Sequence, residues 1–368
     1  MLETSQRAEV ISFAGGLPAA DSFPDFELPK DPTACLQYGP AEGERDLRAL
    51  VAHRLEALGL RADADHVMIL SGSQQGIDLA AKLVVDAGTP VAVEAPTYLA
   101  ALQVFRFFGA RFLEMEISGD GVIGDGQDRS STDRPSMAYV NPTFQNPTGR
   151  CWSAAERKAF AQTCENENVI LFEDDPYRDL VYDPCERRPV ASWMHDGSWI
   201  YQGSFSKTLA PGLRLGFLAA SPCLFPHLLL LKQAADLHTN RLSQRIVLDY
   251  LTAHDEASRN TRLVASYRRK RDAFASLLSE HLGEATWTTP PGGLFFWVTL
   301  PDDIDADVLL AAAMKKNVLF APGRYFYADG VGGASAIRLN FSNASTEAAQ
   351  KGVAVLRDLL GDPAVSRS

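Results

Sequence analysis

Short apolar runs alternate with helical patterns over residues 40–220, and this alternation restricts the fold more than any other feature. The runs cover residues 67–70, 91–94, 112–115, 137–140, 169–172, 200–202 and 216–219. Apolar residues recur at helical spacing over 42–58, 73–86, 98–108 and 154–167. Because apolar strands that alternate with helices are buried on both faces, the pattern predicts an α/β fold with a mostly parallel sheet.

The pattern changes from residue 242 onward. Long helical stretches over 242–253 and 261–281 precede shorter elements. Strands are predicted at 285–288, 294–299, 318–321 and 337–341, and helices at 306–316 and 346–360. These elements predict a smaller α+β unit. We therefore place a large domain at residues 38–260 and a small domain at residues 1–37 and 261–368.

Composition argues against several kinds of partner and site. The net charge of −11 over 368 residues argues against a nucleic-acid partner and gives no support for binding to an anionic membrane. The five cysteines form no C-x-x-C pair and the seven histidines no H-E-x-x-H motif, so we expect neither a metal site nor a disulfide framework. Residues 1–7 lack a signal-peptide pattern and no apolar run is long enough to span a membrane, which predicts a cytoplasmic protein.

One lysine stands among hydroxyl residues after an apolar run, in the sequence GSFSKTLAPGLRLGF at 203–217. A lysine amine such as that of Lys207 can form an imine with an aldehyde cofactor. Ser204, Ser206 and Arg214 are suited to a phosphate group. Together they indicate pyridoxal 5'-phosphate (PLP). The alternatives are a surface lysine in a turn and the Ser-x-x-Lys motif of serine-acylating enzymes.

Polar motifs follow three of the apolar runs, where ligands bind in open α/β sheets. The motif SGSQQG at 71–76 opens a helix whose amides would receive a phosphate, or it is a simple helix cap. In NPTFQNPTG at 141–149, Asn146 can donate to a phenolate oxygen; alternatively, the asparagines serve the backbone of a proline-rich turn. In EDDPY at 173–177, a carboxylate can pair with a protonated pyridine nitrogen, and Tyr177 can reach the ring oxygen. The alternatives there are an acidic loop or metal ligands.

Two further residues complete the set of candidates. Tyr98, after Ala95-Pro96-Thr97, is placed to cover one face of the cofactor ring. Arg338 interrupts an apolar strand of the small unit. Viewed alone it is best explained as an outward-facing charge on an edge strand, but beside the other motifs it is the best candidate to bind a substrate α-carboxylate.

With these motifs in order, the chain resembles the fold-type I PLP-dependent aminotransferases of class I/II. It is most similar to the branch with the α-aminoadipate and kynurenine aminotransferases and the aminotransferase-like half of MocR regulators. The resemblance runs over residues 10–360 and rests on SFAGGLP at 12–18, LQYGP at 36–40, GSQQG at 72–76, NPTG at 146–149, EDDPY at 173–177, the Lys207 segment, PGGLFFW at 291–297 and Arg338. It implies a large domain with a mostly parallel seven-stranded sheet flanked by helices and a smaller α+β domain.

The resemblance also implies a function and a role for each residue. The function is a ping-pong transfer of the α-amino group of an L-amino acid to a 2-oxo acid. Lys207 forms the aldimine and shuttles the proton, Asp174 pairs with the pyridine nitrogen, and Asp175 is its neighbour. The remaining roles are ring-oxygen binding by Asn146 and Tyr177, phosphate binding by Ser73, Gln74, Ser204, Ser206 and Arg214, ring stacking by Tyr98, carboxylate binding by Arg338, a substrate contact at Gly16, and a phosphate contact from Tyr38 of the partner subunit in a homodimer.

One departure from the family pattern bears on the substrate, and two other functions compete. Relatives carry a longer helical segment before LQYGP, whereas residues 25–35 are short here and hold Pro29 and Pro32, which oppose a helix. The same site allows a PLP-dependent β-lyase, decarboxylase or oxidase, because the cleaved bond depends on substrate orientation. A MocR-type ligand-sensing domain needs a preceding winged helix-turn-helix. Because the aminotransferase-like sequence begins within about ten residues of Met1, we favour an enzyme over this regulator.

Overall fold

The computed structural model describes residues 7, 9–115, 117, 134–362 and 365. We number its strands and helices in chain order. The strands are β1 (Ile11–Ser12), β2 (Val67–Leu70), β3 (Pro90–Glu94), β4 (Arg111–Met115), β5 (Met137–Val140), β6 (Ile170–Asp174), β7 (Trp199–Ser204), β8 (Gly216–Ala220), β9 (Thr286–Trp287), β10 (Phe295–Thr299), β11 (Val318–Leu319), β12 (Ala321–Pro322) and β13 (Ala336–Asn340). The helices are α1 (Arg45–Ala57), α2 (Ser73–Val84), α3 (Leu99–Phe107), α4 (Ala154–Asn166), α5 (Phe225–Asp236), α6 (Arg241–Ala253), α7 (Glu256–His281), α8 (Ala306–Met314) and α9 (Thr346–Leu360).

A seven-stranded sheet with the order β2-β8-β7-β6-β5-β3-β4 forms the larger part of the protein. Its strands β4, β3, β5, β6 and β7 are parallel. Only β8 runs against its neighbours, β7 and β2. The prediction of a mostly parallel seven-stranded sheet is therefore confirmed.

Helices cover both faces of this sheet, as its buried apolar strands require. On one face α2, α3 and α5 pack through Ile77, Leu102 and Leu228. On the other face α1, α4 and α6 pack through apolar side chains, which include Leu47, Val51, Leu55, Phe160, Ala161 and Val247. Helices thus cover both faces, and the sheet remains accessible at the carboxyl ends of its parallel strands.

The C-terminal part is built around a four-stranded antiparallel sheet, β12-β13-β10-β9. Helices α7, α8 and α9 share a hydrophobic core with it, through residues that include Phe274, Leu309 and Val353. Strand β1 pairs in parallel with β11, which joins the N-terminal segment to this part. In β13, Arg338 therefore lies in an inner strand between β10 and β12.

Some predicted bounds differ from the observed ones, for local reasons. Helix α7 begins at Glu256 instead of residue 261, because the Asp255 side chain caps it by accepting a hydrogen bond from the Ser258 amide. The strand expected at 318–321 is divided into β11 and β12, which pair with different strands. Residues 25–35 contain only a short 3-10 turn, Thr33–Cys35, as the prolines there predicted.

Candidate active site

A cavity of about 300 Å³ lies at the carboxyl ends of the parallel strands. The antiparallel β8 contributes from its start, because its direction brings Arg214 to the same edge. The cavity is lined by Ser73, Gln74, Tyr98, Tyr139, Asn141, Asn146, Asp174, Pro176, Tyr177, Ser204, Ser206, Lys207, Pro211 and Arg214. All the cofactor residues expected within one chain are therefore brought together.

Lys207 is half-buried, and its Nζ donates a hydrogen bond to the Gly16 carbonyl at 2.8 Å. Burial lowers the pKa of Lys207 to about 8, and the positive charges of Arg338 and Arg214 act in the same direction. The Asp174 carboxylate opposes this shift. A lysine with a pKa near 8 is about half neutral at pH 8, and the neutral amine is the form that acts as a nucleophile or base.

The two oxygens of the Asp174 carboxylate have different surroundings. Oδ2 accepts a hydrogen bond from the Tyr139 hydroxyl at 2.6 Å, whereas Oδ1 is buried and has no hydrogen-bond partner among the described residues. Burial raises the pKa of Asp174 to about 6, against the effect of the Tyr139 hydrogen bond. A buried carboxylate oxygen without a partner is matched to a cationic donor such as a protonated pyridine nitrogen.

The neighbouring Asp175 has a different environment. Its Oδ2 accepts from the Tyr201 hydroxyl at 2.9 Å and pairs with Arg178 Nη1 at 3.1 Å. Asp175 does not line the cavity. The geometry therefore favours Asp174 over Asp175 as the partner of a bound ring.

One end of the cavity is suited to a phosphate. Helix α2 begins at Ser73, directly after Gly72, which has a φ of +84°. A side chain at position 72 would clash with Arg214 Nη2, so glycine allows the guanidinium to lie against the helix start. Ser204 and Ser206 line the same cavity. Helix-end amides, hydroxyls and a guanidinium together match a phosphate dianion.

Asn141 links two strand ends at the ring-binding side. Its Nδ2 donates to the Asp174 carbonyl, and its Oδ1 accepts from the Asn146 amide at 2.7 Å. The backbone role considered for these asparagines therefore applies to Asn141. Asn146 instead directs its Oδ1 to Arg338 Nη1, at 2.6 Å.

Arg338 is buried, with 4% of its surface exposed, so its interpretation as an outward-facing edge charge is wrong. Its Nη2 donates to the Ala14 carbonyl, and its guanidinium lies 4.2 Å from the Phe295 ring centroid and 4.8 Å from that of Phe326. Burial lowers the pKa of Arg338 to about 10, which leaves the group charged at neutral pH. A fixed, buried guanidinium can bind a carboxylate through two hydrogen bonds.

Three predicted residues, Gly16, Tyr38 and Arg338, lie outside the cavity lining, and Arg338 contacts the lining through Asn146. Gly16 contacts Lys207 through its carbonyl, and a Cβ at this position would lie 3.1 Å from Phe295 Cζ. Tyr38 is 75% exposed, and its ring packs against His238 at a centroid distance of 5.7 Å. Tyr38 thus does not line the cavity of its own chain.

The sequence reasoning missed four lining residues: Tyr139, Asn141, Pro176 and Pro211. Asn141 directly follows the strand run that ends at Val140, so the rule that selected Asn146 also identifies it. Tyr139 lies inside that apolar run and reads as a core aromatic residue. Its polar role becomes visible only when its hydroxyl is seen beside Asp174.

Over the part of the chain that the structure describes, no group of three or more His, Cys, Asp or Glu side chains is placed to hold a metal ion. Within the same residues, no helix combines the length and apolar character needed to cross a membrane.

The arrangement fits three functional groups of PLP: the phosphate, the pyridine nitrogen and the aldehyde. The helix start with Arg214 suits the phosphate, the unpartnered Asp174 Oδ1 suits the pyridine nitrogen, and Lys207, with its lowered pKa, suits the aldehyde. The fold and the site together define a PLP-dependent transferase of fold type I.

The comparisons with known proteins then identify the family. The chain belongs to the family "Aminotransferase class I and II", whose model matches residues 19–356. It is 37% identical to 2-aminoadipate transaminase of Thermus thermophilus, over 96% of this chain and 90% of that protein. It is 34% identical to aromatic-amino-acid aminotransferase 1 of Thermococcus litoralis, over 98% and 90% of the two chains.

A solved structure supports the same conclusion. The α-aminoadipate aminotransferase of Thermus thermophilus, complexed with N-(5'-phosphopyridoxyl)-L-leucine, matches with a TM-score of 0.84 and 35% identity over 96% of this chain and 92% of that chain. The protein is therefore an enzyme, a PLP-dependent aminotransferase, and the predictions of class, cofactor and reaction are confirmed.

Proposed function

We propose that this enzyme moves the α-amino group of an L-amino acid to a 2-oxo acid by a ping-pong mechanism, with Lys207, Asp174 and Arg338 at its centre. One observation supports this above all. The lysine with a lowered pKa and the carboxylate oxygen without a partner line one cavity, and the buried guanidinium of Arg338 lies 2.6 Å from Asn146, which lines it too.

Each of these residues has a separate task in the proposal. Arg338 binds the substrate carboxylate and so orients the Cα–H bond. The neutral amine of Lys207 takes the proton from Cα and later returns a proton to the reacting group. Bound PLP supplies the electron sink for the charge left at Cα. Asp174 holds a proton on the ring nitrogen, and Asn146 and Tyr177 hold the ring oxygen.

Other residues hold the cofactor in place. We propose that Ser73, Gln74, Ser204, Ser206 and Arg214 bind the phosphate and that Tyr98 covers the ring. Tyr98 is well placed for this, because it lines the cavity with its hydroxyl 3.5 Å from Gln74 Oε1. Gly16 gives the substrate space beside Phe295 and Tyr177.

For the amino donor we propose an aromatic or other apolar side chain. Relatives named for 2-aminoadipate and for aromatic amino acids are similarly close to this chain. Of the residues that line the cavity, Lys207 and Arg214 carry the positive charge, and both already have tasks. A distal carboxylate, as in 2-aminoadipate, therefore lacks a cation from the lining of its own chain.

We further propose a cytoplasmic homodimer with shared sites. The exposed Tyr38 supports a contact with the partner's phosphate. The five cysteines are free, which suits a reducing compartment. Residues 38–260 would form the cofactor-binding domain, and residues 1–37 and 261–368 the domain that brings Gly16 and Arg338 to the substrate.

The test combines a substrate comparison with two lysine variants. Wild-type enzyme loaded with PLP should aminate 2-oxoglutarate with phenylalanine at a kcat/KM at least about tenfold above that with 2-aminoadipate. Lys207→Ala should lose the visible absorption band of the bound cofactor and the amino transfer. Lys82→Ala, at an exposed lysine paired with Asp78, should retain both.

Two results would contradict the proposal. Wild-type turnover by Lys207→Ala would remove Lys207 from the mechanism. A preference for 2-aminoadipate over phenylalanine would contradict the proposed apolar amino donor while leaving the amino transfer itself intact.

A further inference from the structure

A buried tyrosine hydroxyl gives the two carboxylate oxygens of Asp174 different hydrogen-bonding environments. Tyr139 donates to Oδ2 at 2.6 Å, and Oδ1 has no partner among the described residues. The phenol cannot exchange this bond for water, because Tyr139 has no exposed surface. A buried donor that lost its acceptor would carry the full cost of desolvation, so the bond fixes both side chains.

The surrounding sheet holds Tyr139 in this position. It lies on β5 opposite Phe172 of β6, and Asp174 follows two residues later on the same face of β6. The Tyr139 ring packs edge-on against Phe105 and Phe172, with centroid distances of 5.5 and 5.4 Å. The packing of the Tyr139 ring against Phe105 and Phe172 therefore directs its hydroxyl towards Asp174.

Tyr139 differs from the other described ionisable groups near Asp174 because it donates a hydrogen bond to the carboxylate. Burial and the charge of Asp174 raise the pKa of Tyr139 well above its ordinary value, so the phenol stays protonated and remains a donor. Among the described ionisable groups, Tyr139 alone hydrogen-bonds the Asp174 carboxylate, and the others act through their charges. The ionisable groups that interact with Asp174 include Tyr98, Tyr139, Asp175, Tyr177 and Lys207, and the uncharged Gln202 side chain also lowers the pKa of Asp174.

We propose that Tyr139 is a positioning residue for the reaction: it occupies one oxygen of Asp174 and leaves the other for the ring nitrogen. The same hydrogen bond makes the carboxylate less basic. A less basic carboxylate leaves the shared proton on the ring nitrogen, where the electron sink needs it. This inference rests on the proposed role of Asp174.

The matched experiment compares two tyrosine variants. Tyr139→Phe removes the hydroxyl beside Asp174, and Tyr201→Phe removes an equally buried hydroxyl beside Asp175, 2.9 Å from its Oδ2. Both enzymes are loaded with PLP, and the visible absorption of the cofactor is titrated against pH. Steady-state kcat and KM for the amino donor are measured on the same samples.

For Tyr139→Phe we expect the titration midpoint to rise by about half a pH unit or more and kcat to fall about tenfold, with KM changed less than about twofold. The midpoint rises because a less protonated ring repels positive charge on the Lys207 nitrogen less strongly. Tyr201→Phe should keep the wild-type midpoint and kcat. A purely structural role would instead lower stability and cofactor loading in both variants alike.

If Tyr139→Phe binds PLP poorly, a second variant that keeps the packing of the ring provides the test. Site-specific 3-fluorotyrosine at position 139 is a stronger donor of nearly the same shape, so the midpoint should move downward. The inference is overturned if both changes at position 139 leave the midpoint at its wild-type value, or if Tyr201→Phe shifts it equally. Failure of the proposed function is separate, because wild type would then transfer no amino group to a 2-oxo acid while its visible band could still be titrated.

Discussion

At the scale of single residues, the site depends on how burial changes the charge of Lys207. A lysine in water has a pKa of about 10.4 and is almost fully protonated at pH 8. Burial, together with Arg338 and Arg214, lowers the pKa of Lys207 to about 8, while Asp174 limits the shift. Burial and the positive charges of Arg338 and Arg214 thus raise the neutral fraction of the amine.

This shift predicts the pH dependence of PLP uptake. Below pH 8 the Lys207 amine is mostly protonated and unreactive, and above pH 8 it is mostly neutral. The rate at which apoprotein incorporates PLP should therefore rise with pH to a half-maximum near 8. The rate is measured from the visible absorption that wild type gains and Lys207→Ala does not. A half-maximum near pH 10 would mean that burial does not perturb this lysine.

Sequence reasoning selected residues that line the cavity where a residue's chemistry agreed with its place at the end of a strand. Lys207, Asp174 and Asn146 each follow an apolar run, so both pattern and chemistry selected them. It failed for Tyr139, because nothing in an apolar run tells a core tyrosine from one whose hydroxyl meets a carboxylate on the next strand. Arg338 looked exposed for a similar reason, since sequence does not reveal that β13 is an inner strand.

At the scale of elements, the start of α2 and the turn before β8 form one phosphate-binding unit. Gly72 allows the close approach between them: its φ is +84°, and a side chain there would meet the guanidinium of Arg214. Arg214 itself has a φ of +50°. The helix end and the guanidinium are therefore positioned by left-handed residues in two neighbouring segments.

Gly72→Ala should weaken PLP binding by about tenfold or more, because the methyl group displaces Arg214 and strains a left-handed backbone. The dissociation constant is obtained by titrating apoprotein with PLP. Gly88→Ala is the control, since Gly88 has a φ of +83° and open space where the methyl group would lie. It carries similar backbone strain far from the cavity and should leave the dissociation constant unchanged. Equal weakening by both variants would indicate a general loss of stability.

The elements of the large sheet were predictable because buried parallel strands and amphipathic helices have clear periods. The direction of β8 was not predictable, since an apolar run carries no sign of whether it runs with or against its neighbours. The start of α7 was missed because its first turn is polar, although the cap at Asp255 was present in the sequence.

At the scale of the whole molecule, the proposed dimer predicts that two inactive variants complement each other when they are mixed. If Tyr38 serves the partner's phosphate, then Tyr38→Ala and Lys207→Ala damage opposite halves of a shared site. In a mixed dimer one site carries both defects and the other carries none. Co-expression or subunit exchange of the two inactive variants should restore about a quarter of wild-type activity per chain.

The control for this experiment is a mixture of Lys207→Ala with Asp174→Ala. Both residues line the same cavity of one chain, so each site of a mixed dimer retains one defect and activity should stay absent. Lack of recovery in the Tyr38 mixture, with mixed dimers demonstrated by two different affinity tags, would contradict the shared site.

The bonds that Arg338 already makes also have a consequence for which molecules the enzyme rejects. Its guanidinium is held by two neutral oxygens, from Asn146 and Ala14. In the proposed role, a carboxylate gains entry by offering a charged acceptor in exchange for a neutral one. An amine that lacks the acid group offers no charged acceptor, so the guanidinium keeps its bonds to Asn146 and Ala14. Selection against simple amines is thus a competition between acceptors, decided before any bond to the substrate is broken.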